Sequence, residues 1–330
     1  MYFWVKLLQM IKYIGFVLVL FVSLNSHSQK KMKIPPYFKK GDTVAIVCTA
    51  RKFMPEDAKP AIELLESWGL KAKLGNTIGL DSCQLGGTDA ERIADFQAMM
   101  DDENVKGIWV ARGGYGTVRI IDSLDFTKFK KHPKWIMGFS DVTVLHSQLN
   151  VERIASLHSI MPFTVPKASE EVKETLRKAL FGEDIAYTIP SKSYDKKRKA
   201  SGELVGGNIS ILYSLLGSKS SINTKDKILF IEDLDEYLYH IDRMMFNLKR
   251  NGYFEKVKGI IVGSMSDMHD NEIPFGQNEV QIITEIAKEN NIPIAFEFPA
   301  GHQKDNRTLI LGKKVDFEVN ENEIILRFKD

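Results

Sequence analysis

The chain has 330 residues, of which 44% are hydrophobic and 27% are charged, a composition typical of a globular protein with a well-formed core. Its formal net charge is only +2, and no basic stripe with interleaved aromatic residues is present, which excludes the usual nucleic-acid-binding classes. The cysteines, Cys48 and Cys83, have neither metal-site spacing nor the number needed for a disulfide framework. We therefore expect no metal and no cofactor, and Cys48 as a free thiol in the core.

The N-terminus has the pattern of a secretory signal peptide. Lys6 and Lys12 precede an apolar run over residues 13–24, and small polar residues follow at 25–29. A basic start, an apolar centre and a polar exit are typical of an export signal. We therefore predict a signal peptide over residues 1–30 and a periplasmic protein. An uncleaved membrane anchor is the alternative, because the apolar stretch is longer when the first ten residues are included.

Strands and helices alternate through the first half of the chain. Apolar, β-branched runs predict strands at residues 43–49, 70–74, 107–111 and 135–137, and helical patterns lie at 56–68, 90–100, 118–124 and 142–149. This alternation predicts parallel β-α-β units with helices on both faces of one sheet. Ligands of such sheets bind at the carboxyl ends of the strands, where residues 112–116 and 138–143 lie.

The second half mixes strands and helices and ends in an antiparallel hairpin. Strands are predicted at residues 228–231 and 259–262, helices at 239–251 and 280–290, and the hairpin at 314–318 and 323–328. Residues 169–200 contain a lysine-rich polar stretch and are predicted to be a linker. It would join an N-terminal domain over residues 34–168 to a C-terminal domain over residues 201–330.

Ser140 lies where the strand at 135–137 turns into the following helix. A serine on such a corner directs its hydroxyl away from the sheet, and the next backbone N–H groups open toward it, which suits a nucleophile. The alternative is that Ser140 is a helix N-cap and Asp141 a first-turn carboxylate, with no chemistry implied.

A serine nucleophile needs a base and a group that orients that base. His302 is the candidate base, because it follows Gly301 in a loop after an apolar strand and can face a cleft. His146 follows Ser140 more closely, but its helix would carry it away from the corner. Glu232 is the candidate orienting carboxylate, because it ends the apolar strand at 228–231. The alternative is that Glu232 is part of a solvated acidic turn, because three further acids follow it closely: Asp233, Asp235 and Glu236.

Gly113 and Gly114 follow another predicted strand and expose backbone N–H groups without a Cβ. Together with the N–H of Asp141, such a turn can form an oxyanion hole. A phosphate cradle is the alternative, although the spacing matches neither of the common phosphate-binding motifs.

Four short motifs carry a resemblance to a known family. They are ARGGYG at residues 111–116, GFSDVT at 138–143, LFIED at 229–233 and AGHQKDN at 300–306. In this order and spacing the chain resembles the LD-carboxypeptidases, the muramoyltetrapeptide carboxypeptidases of murein recycling, together with related microcin-immunity peptidases. The resemblance covers the chain from about residue 34 to its end.

The resemblance implies a fold and a set of residue roles. The fold would be an α/β one, with an N-terminal flavodoxin-like parallel sheet domain and a smaller C-terminal α/β domain with antiparallel strands, assembled as a homodimer. Ser140 would be the nucleophile, His302 the general base and Glu232 its orienting partner. Gly114 and Asp141 would supply the oxyanion-hole N–H groups.

The implied reaction is release of the terminal D-alanine from a murein stem tetrapeptide, by hydrolysis of an L,D-amide bond. Arg112 is a candidate cation for the substrate's free carboxylate, with Gly113 beside it in the substrate-binding turn. The alternatives are an amidase acting on acyl-sulfamoyl nucleotides and a periplasmic binding protein without catalysis. The chain departs from cytoplasmic members of the family in its export signal, and residues 48–52 (CTARK) differ from the turn of some members.

Overall fold

The computed structural model of the protein describes residues 31–191, 198–287 and 291–329. The signal peptide predicted over residues 1–30 lies outside these ranges, as does part of the predicted linker. No helix within the described ranges is long and apolar enough to span a membrane.

Five strands from the first half of the chain and one strand from near its end form a six-stranded, mostly parallel sheet. Its order is β2-β1-β3-β4-β5-β11, and only β11 runs antiparallel to its neighbour. The first five strands have the order of flavodoxin-like sheets, so the predicted fold of this half is confirmed. The strands are β1 (Thr43–Val47), β2 (Lys71–Leu74), β3 (Val105–Val110), β4 (Trp135–Gly138), β5 (Ser156–His158) and β11 (Leu309–Leu311).

Helices connect these strands much as the apolar periodicity predicts. They are α1 (Lys59–Ser67), α2 (Asp89–Asp101) and α3 (Thr143–Val151), with 3-10 turns at Pro55–Ala58, Ser140–Val142 and Pro162–Lys167. The helix predicted at residues 118–124 is wrong, because two short 3-10 turns, Thr117–Arg119 and Ile121–Ser123, occupy that segment. Ile120 and Ile121 are nevertheless buried, so the apolar residues that suggested a helix pack against the core from a tighter turn.

The second half forms a seven-stranded mixed sheet in the order β10-β9-β8-β7-β12-β13-β6. The strands β7 to β10 are parallel, and β12, β13 and β6 add antiparallel strands at the other side, as the predicted hairpin requires. The bounds are β6 (Ala186–Pro190), β7 (Arg198–Asn208), β8 (Ile228–Leu234), β9 (Gly259–Ser266), β10 (Ile294–Ala295), β12 (Lys314–Val319) and β13 (Glu323–Phe328).

The helices of this half are α4 (Glu170–Phe181), α5 (Ile209–Ser214), α6 (Leu238–Arg250) and α7 (Glu279–Ala287). Both α4 and β6 lie inside the segment predicted as a linker. Asn208 starts α5 as its N-cap, since its side-chain oxygen accepts the N–H of Ile211 at 3.2 Å.

β11 ties the two sheets together. The chain leaves the second sheet after β10, passes through a loop that carries His302, and then adds β11 to the edge of the first sheet beside β5. Residues 32–330 form a single compact unit, so the domain boundary remains a prediction. Cys48 is buried and unbonded, as expected, while Cys83 is exposed.

Candidate active site

Ser140 occupies the corner between β4 and α3. β4 ends at Gly138, a 3-10 turn runs over Ser140–Val142, and α3 begins at Thr143. Ser140 has a φ of +64°, a left-handed conformation that costs a non-glycine residue about 1–2 kcal/mol and is enriched at functional sites. Ser140 is not a helix N-cap, because Phe139 holds that position for the 3-10 turn and Val142 holds it for α3, although Asp141 does lie in the first turn.

A buried histidine, His146, hydrogen-bonds to the backbone of this corner. The carbonyl of Gly138 accepts the N–H of Ser159 at 3.1 Å and the Nε2–H of His146 at 2.9 Å. The other ring nitrogen of His146 lies 2.8 Å from the hydroxyl of Ser156 and accepts its proton. Burial lowers the pKa of His146 to about 4. His146 is therefore a neutral histidine in one tautomer, and its role here is to hold the backbone of the corner.

The glycine turn after β3 packs directly against Ser140. A Cβ on Gly113 would lie 3.1 Å from Ser140 Cβ and 3.5 Å from the backbone nitrogen of Asp141. Gly114 has a φ of +110°, and a Cβ there would come within 2.6 Å of the Arg51 side chain. The positive φ favours glycine at position 114, and a Cβ at position 113 would crowd Ser140, so this turn brings its backbone close to the serine.

The N–H groups proposed for an oxyanion hole are in suitable places. Within the described residues, the N–H of Gly114 donates no hydrogen bond to another backbone group. That of Asp141 lies in the first turn of a helix, where N–H groups have no intrahelical partner. The Asp141 carboxylate is buried and accepts from the N–H and the hydroxyl of Thr117, at 2.9 and 2.5 Å. Burial raises the pKa of this carboxyl, although the bonds from Thr117 oppose the shift. Asp141 therefore links the corner to the glycine turn.

His302 and Glu232 form a close, buried pair. Nδ1 of His302 lies 2.6 Å from Oε2 of Glu232, which is fully buried, while the His302 side chain is 14% exposed. Burial lowers the pKa of His302, but the charge of Glu232, the hydrogen bond and the charge of Asp233 outweigh it and raise the pKa overall. With Nδ1–H donating to the carboxylate, Nε2 is left as the free acceptor. The His302 ring packs at 4.8 Å from the ring of Phe139, the residue before Ser140.

The three neighbouring acids bind other groups, so Glu232 is the carboxylate that pairs with His302. The register between β8 and β9 shifts at this point, between Ile231 and Asp233. Asp233 accepts from the Asn208 side chain at 2.8 Å and from the N–H of Ser210 at 2.9 Å. Burial and the charge of Glu232 raise the pKa of Asp233 to about 7. The two remaining acids pair with other histidines, Asp235 with His269 and Glu236 with His240.

These groups line one cavity of about 530 Å³. Ser140, Gly113 and Gly114 lie on the side of the first sheet, and His302 on the side of the second. The structure thus brings together Ser140, His302 and the two candidate oxyanion donors, with Glu232 buried directly behind His302. No group of histidine, cysteine or acidic side chains in the described ranges is arranged to hold a metal ion.

Two arginines line the same cavity. The Arg112 guanidinium stacks on the Phe163 ring, 4.1 Å from its centroid. Burial and the nearby charge of Arg51 lower the pKa of Arg112. Nε of Arg51 is buried and has no hydrogen-bond partner in the described part of the chain. Two adjacent cations in a partly buried cavity suit a carboxylate ligand.

Sequence reasoning identified Arg112 and missed Arg51. A signal was present, because Arg51 follows β1, and the turn after β1 lies at the same carboxyl edge as the other two turns. The sequence does not show that Arg51 lies close to Gly114. The two residues are 63 positions apart in the chain and meet only in the folded structure.

Comparison with known proteins identifies close similarities over most of the chain. The profile of the LD-carboxypeptidase N-terminal domain matches residues 44–159, and that of the LD-carboxypeptidase C-terminal domain matches residues 201–317. A Bacillus subtilis protein named "Probable murein peptide carboxypeptidase" is 33% identical over 88% of this chain and 93% of its own length. The murein tetrapeptide carboxypeptidase of Pseudomonas aeruginosa is 25% identical over 84% of this chain and 93% of its own length.

A solved structure shows the same fold. The crystal structure of muramoyltetrapeptide carboxypeptidase from Oxalobacter formigenes superposes with a TM-score of 0.79 at 26% identity. The match covers 87% of this chain and 99% of that one.

Proposed function

Because this chain belongs to the LD-carboxypeptidase family of serine peptidases, we propose that it hydrolyses the L,D-amide bond of murein tetrapeptides and releases the terminal D-alanine. The observation that carries the proposal is the buried His302–Glu232 pair at 2.6 Å, which opens onto the same cavity as the strained Ser140.

In the first step His302 Nε2 takes the proton of the Ser140 hydroxyl as Ser140 Oγ attacks the scissile carbonyl carbon. The imidazolium that forms is stabilised by Glu232, whose carboxylate holds Nδ1–H. The negative charge on the carbonyl oxygen is bound by the N–H groups of Gly114 and Asp141, each worth about 3 kcal/mol in the transition state.

In the second step the tetrahedral intermediate collapses. The C–N bond breaks, and His302 returns its proton to the amine of the leaving D-alanine, which leaves an acyl group on Ser140. Water then attacks the ester with His302 again as base, and Ser140 is regenerated as the acyl product leaves.

The two arginines explain why a terminal amino acid is removed. The free carboxylate of D-alanine lies one residue beyond the scissile carbonyl, and Arg112 directly precedes Gly113 in the turn beside Ser140. Arg112 and Arg51 therefore bind that carboxylate with charge-assisted hydrogen bonds. A peptide whose C-terminus is blocked lacks this interaction and is a poor substrate.

Export and dimer formation are part of the same proposal. The pattern of residues 1–30 supports an exported protein that trims stem peptides in the periplasm. The homodimer is supported by the family resemblance alone. Measuring the mass of the purified protein from a periplasmic extract would test both, since it reports cleavage of the signal and the oligomeric state.

The reaction is tested by intact-mass analysis of the products from defined peptides. We expect wild-type protein to remove one D-alanine from a murein tetrapeptide, to leave the matching pentapeptide uncut and to cut the C-terminally amidated tetrapeptide only slowly. Ser140→Ala should remove none while keeping the wild-type melting temperature.

The same panel includes an acyl-sulfamoyl nucleotide. Cleavage of that compound, with the tetrapeptide left intact, would replace the proposed substrate by the amidase alternative. Reversible binding of the tetrapeptide without any product, together with no covalent labelling of Ser140, would indicate a binding protein instead.

A further inference from the structure

Arg112 carries its charge in the cavity without an acidic partner. Within the described residues its side chain forms no ion pair and no hydrogen bond, and Arg51 is near enough for the two like charges to repel each other. The contact that the structure shows for the guanidinium is the ring of Phe163, whose centroid lies 4.1 Å from it. The place of this cation in the cavity therefore depends on an aromatic ring.

An aromatic ring holds a guanidinium in a way that suits a binding site. The ring attracts the cation through its electron-rich face and leaves the charge uncompensated. A carboxylate in the place of the ring would bind the N–H groups in the guanidinium plane, the same groups that bind a carboxylate of the substrate. Phe163 thus restrains Arg112 while the charge and the donors of Arg112 stay available to a ligand.

The ring is itself fastened to the strand that leads into the arginine. Phe163 lies in the 3-10 turn Pro162–Lys167, and its N–H donates to the carbonyl of Ala111, the residue just before the arginine, at 3.0 Å. In front of this turn, the buried indole N–H of Trp109 in β3 donates to the carbonyl of Ile160 at 2.7 Å. These two bonds hold the turn against β3, so the ring and the guanidinium are positioned from the same strand.

The spacing between this cation and the nucleophile matches the proposed substrate. Arg112 precedes Gly113, and a Cβ on Gly113 would lie 3.1 Å from Ser140 Cβ. The carboxylate of a substrate's last residue likewise lies one residue beyond the scissile carbonyl. A guanidinium without the ring would occupy several rotamers, and binding the carboxylate would then cost the entropy of restoring one of them. Loss of the ring should therefore weaken substrate binding.

We propose that Phe163 is the positioning residue of the site that binds the substrate's terminal carboxylate. Its ring holds the Arg112 guanidinium at the cavity wall, and the N–H groups of Arg112 bind the carboxylate. Phe163 acts through Arg112 and so contributes to the selection of a peptide's last residue for removal. This inference rests on the proposed function, in which Arg112 binds the carboxylate of the leaving D-alanine.

The test compares two substrates in matched variants. A murein tetrapeptide and its C-terminal amide differ in the charge that Arg112 would bind, so the ratio of their kcat/KM values measures carboxylate recognition. Phe163→Leu removes the ring and keeps an apolar side chain, whereas Phe163→Tyr keeps the ring. Because Phe163 is 41% exposed, both variants should fold. Phe246→Leu is the control, since Phe246 on α6 is 42% exposed and is not among the residues that line the cavity.

We expect Phe163→Leu to raise KM for the tetrapeptide by about 3- to 30-fold, the size of a cation–π contact, and to change kcat by less than about threefold. Its kcat/KM for the amide should stay at the wild-type value, so the ratio falls by the same factor. Phe163→Tyr should keep the ratio within about twofold of wild type, and Phe246→Leu should match wild type. In an Arg112→Met background, Phe163→Leu should change KM by less than about twofold, because no guanidinium is left to hold.

A Phe163→Leu variant that loses the same factor on both substrates would overturn the role of Phe163 and leave the proposed function intact. The same holds for a Phe163→Tyr variant as impaired as Phe163→Leu, and for losses that multiply in the double variant with Arg112→Met. If Phe163→Leu does not fold, Phe163→Met, which also lacks a ring, replaces it in every comparison. A wild-type protein that leaves the tetrapeptide uncut would overturn the proposed function, and the role of Phe163 with it.

Discussion

The two sheets contribute buried histidines of opposite character. In the first sheet and its helix, His146 and His158 are buried without an acidic partner, and burial lowers the pKa of both. His302, reached from the second sheet, is also largely buried, but the carboxylate of Glu232 lies 2.6 Å from its ring and the pKa is raised. Burial alone keeps a histidine neutral, whereas the buried carboxylate beside His302 raises its pKa, which suits the role of base that we propose for it.

The two sides of the cavity also hold their functional groups by different means. Ser140 and the glycine turn are positioned by backbone conformations with positive φ and by close backbone packing. His302 and Glu232 are positioned by a short hydrogen bond in a site from which solvent is largely excluded. Substitutions that act on backbone, on charge or on a neutral histidine should therefore have separable effects.

The largest separation is expected between His302→Gln and His146→Gln. His302→Gln removes the proposed base and should lower kcat by about 10⁴-fold or more, as for other triad histidines. His146→Gln keeps a donor for the Gly138 carbonyl and should lower kcat by less than about tenfold, while reducing the free energy of unfolding by about 1–3 kcal/mol. Tetrapeptide turnover and urea denaturation measure the two effects. Equal losses of kcat would end the distinction between structural and catalytic histidines.

A smaller effect is expected from Gly114→Ala, which tests the backbone side of the cavity. The new methyl group meets Arg51 and displaces the N–H of residue 114, so kcat should fall by about 10²–10³-fold with the loss of one oxyanion donor. Gly217→Ala is the matched control. Gly217 also has positive φ, +77°, but no atom lies within 4 Å of its Cβ position, so that variant should lose stability and keep its kcat. A Gly114→Ala variant with normal kcat would remove this turn from the oxyanion hole.

The smallest effect should come from Arg51→Gln, which tests whether the arginines act in binding. Losing one charge-assisted hydrogen bond to the substrate carboxylate should raise KM by about 10- to 100-fold and change kcat much less. The amidated tetrapeptide serves as the control substrate, because wild type and variant should handle it equally poorly. If the substitution raised KM by the same factor for both substrates, Arg51 would not bind the substrate carboxylate.

Much of this site could be predicted from sequence because it lies at strand ends. Ser140 and Gly113 follow apolar runs, and the carboxyl ends of parallel strands meet at one edge. Glu232 could not be separated from Asp233 in the same way, since a register shift between β8 and β9 decides which of them faces His302.

Other features depend on contacts between distant segments. Arg51 belongs to the site through its approach to Gly114. β11 is only three residues long, and no local sequence pattern predicts that it pairs with β5 of the first sheet. The failed helix at residues 118–124 has a local cause, since tight 3-10 turns bury the same apolar residues that a helix would.

The measurement that tests the comparison most directly is the pH dependence of kcat/KM in wild type and in Glu232→Gln. The base acts when neutral, so activity should rise as pH increases through the pKa of His302. Because Glu232 and Asp233 raise that pKa, with neutral His158 adding no charge, the wild-type midpoint should lie above the ordinary histidine value of about 6.5. Glu232→Gln removes the charge that raises the pKa of His302 the most, so the midpoint should move to lower pH. The plateau should fall by about 10²–10⁴-fold. A midpoint that stays in place when Glu232 is neutralised would contradict the account.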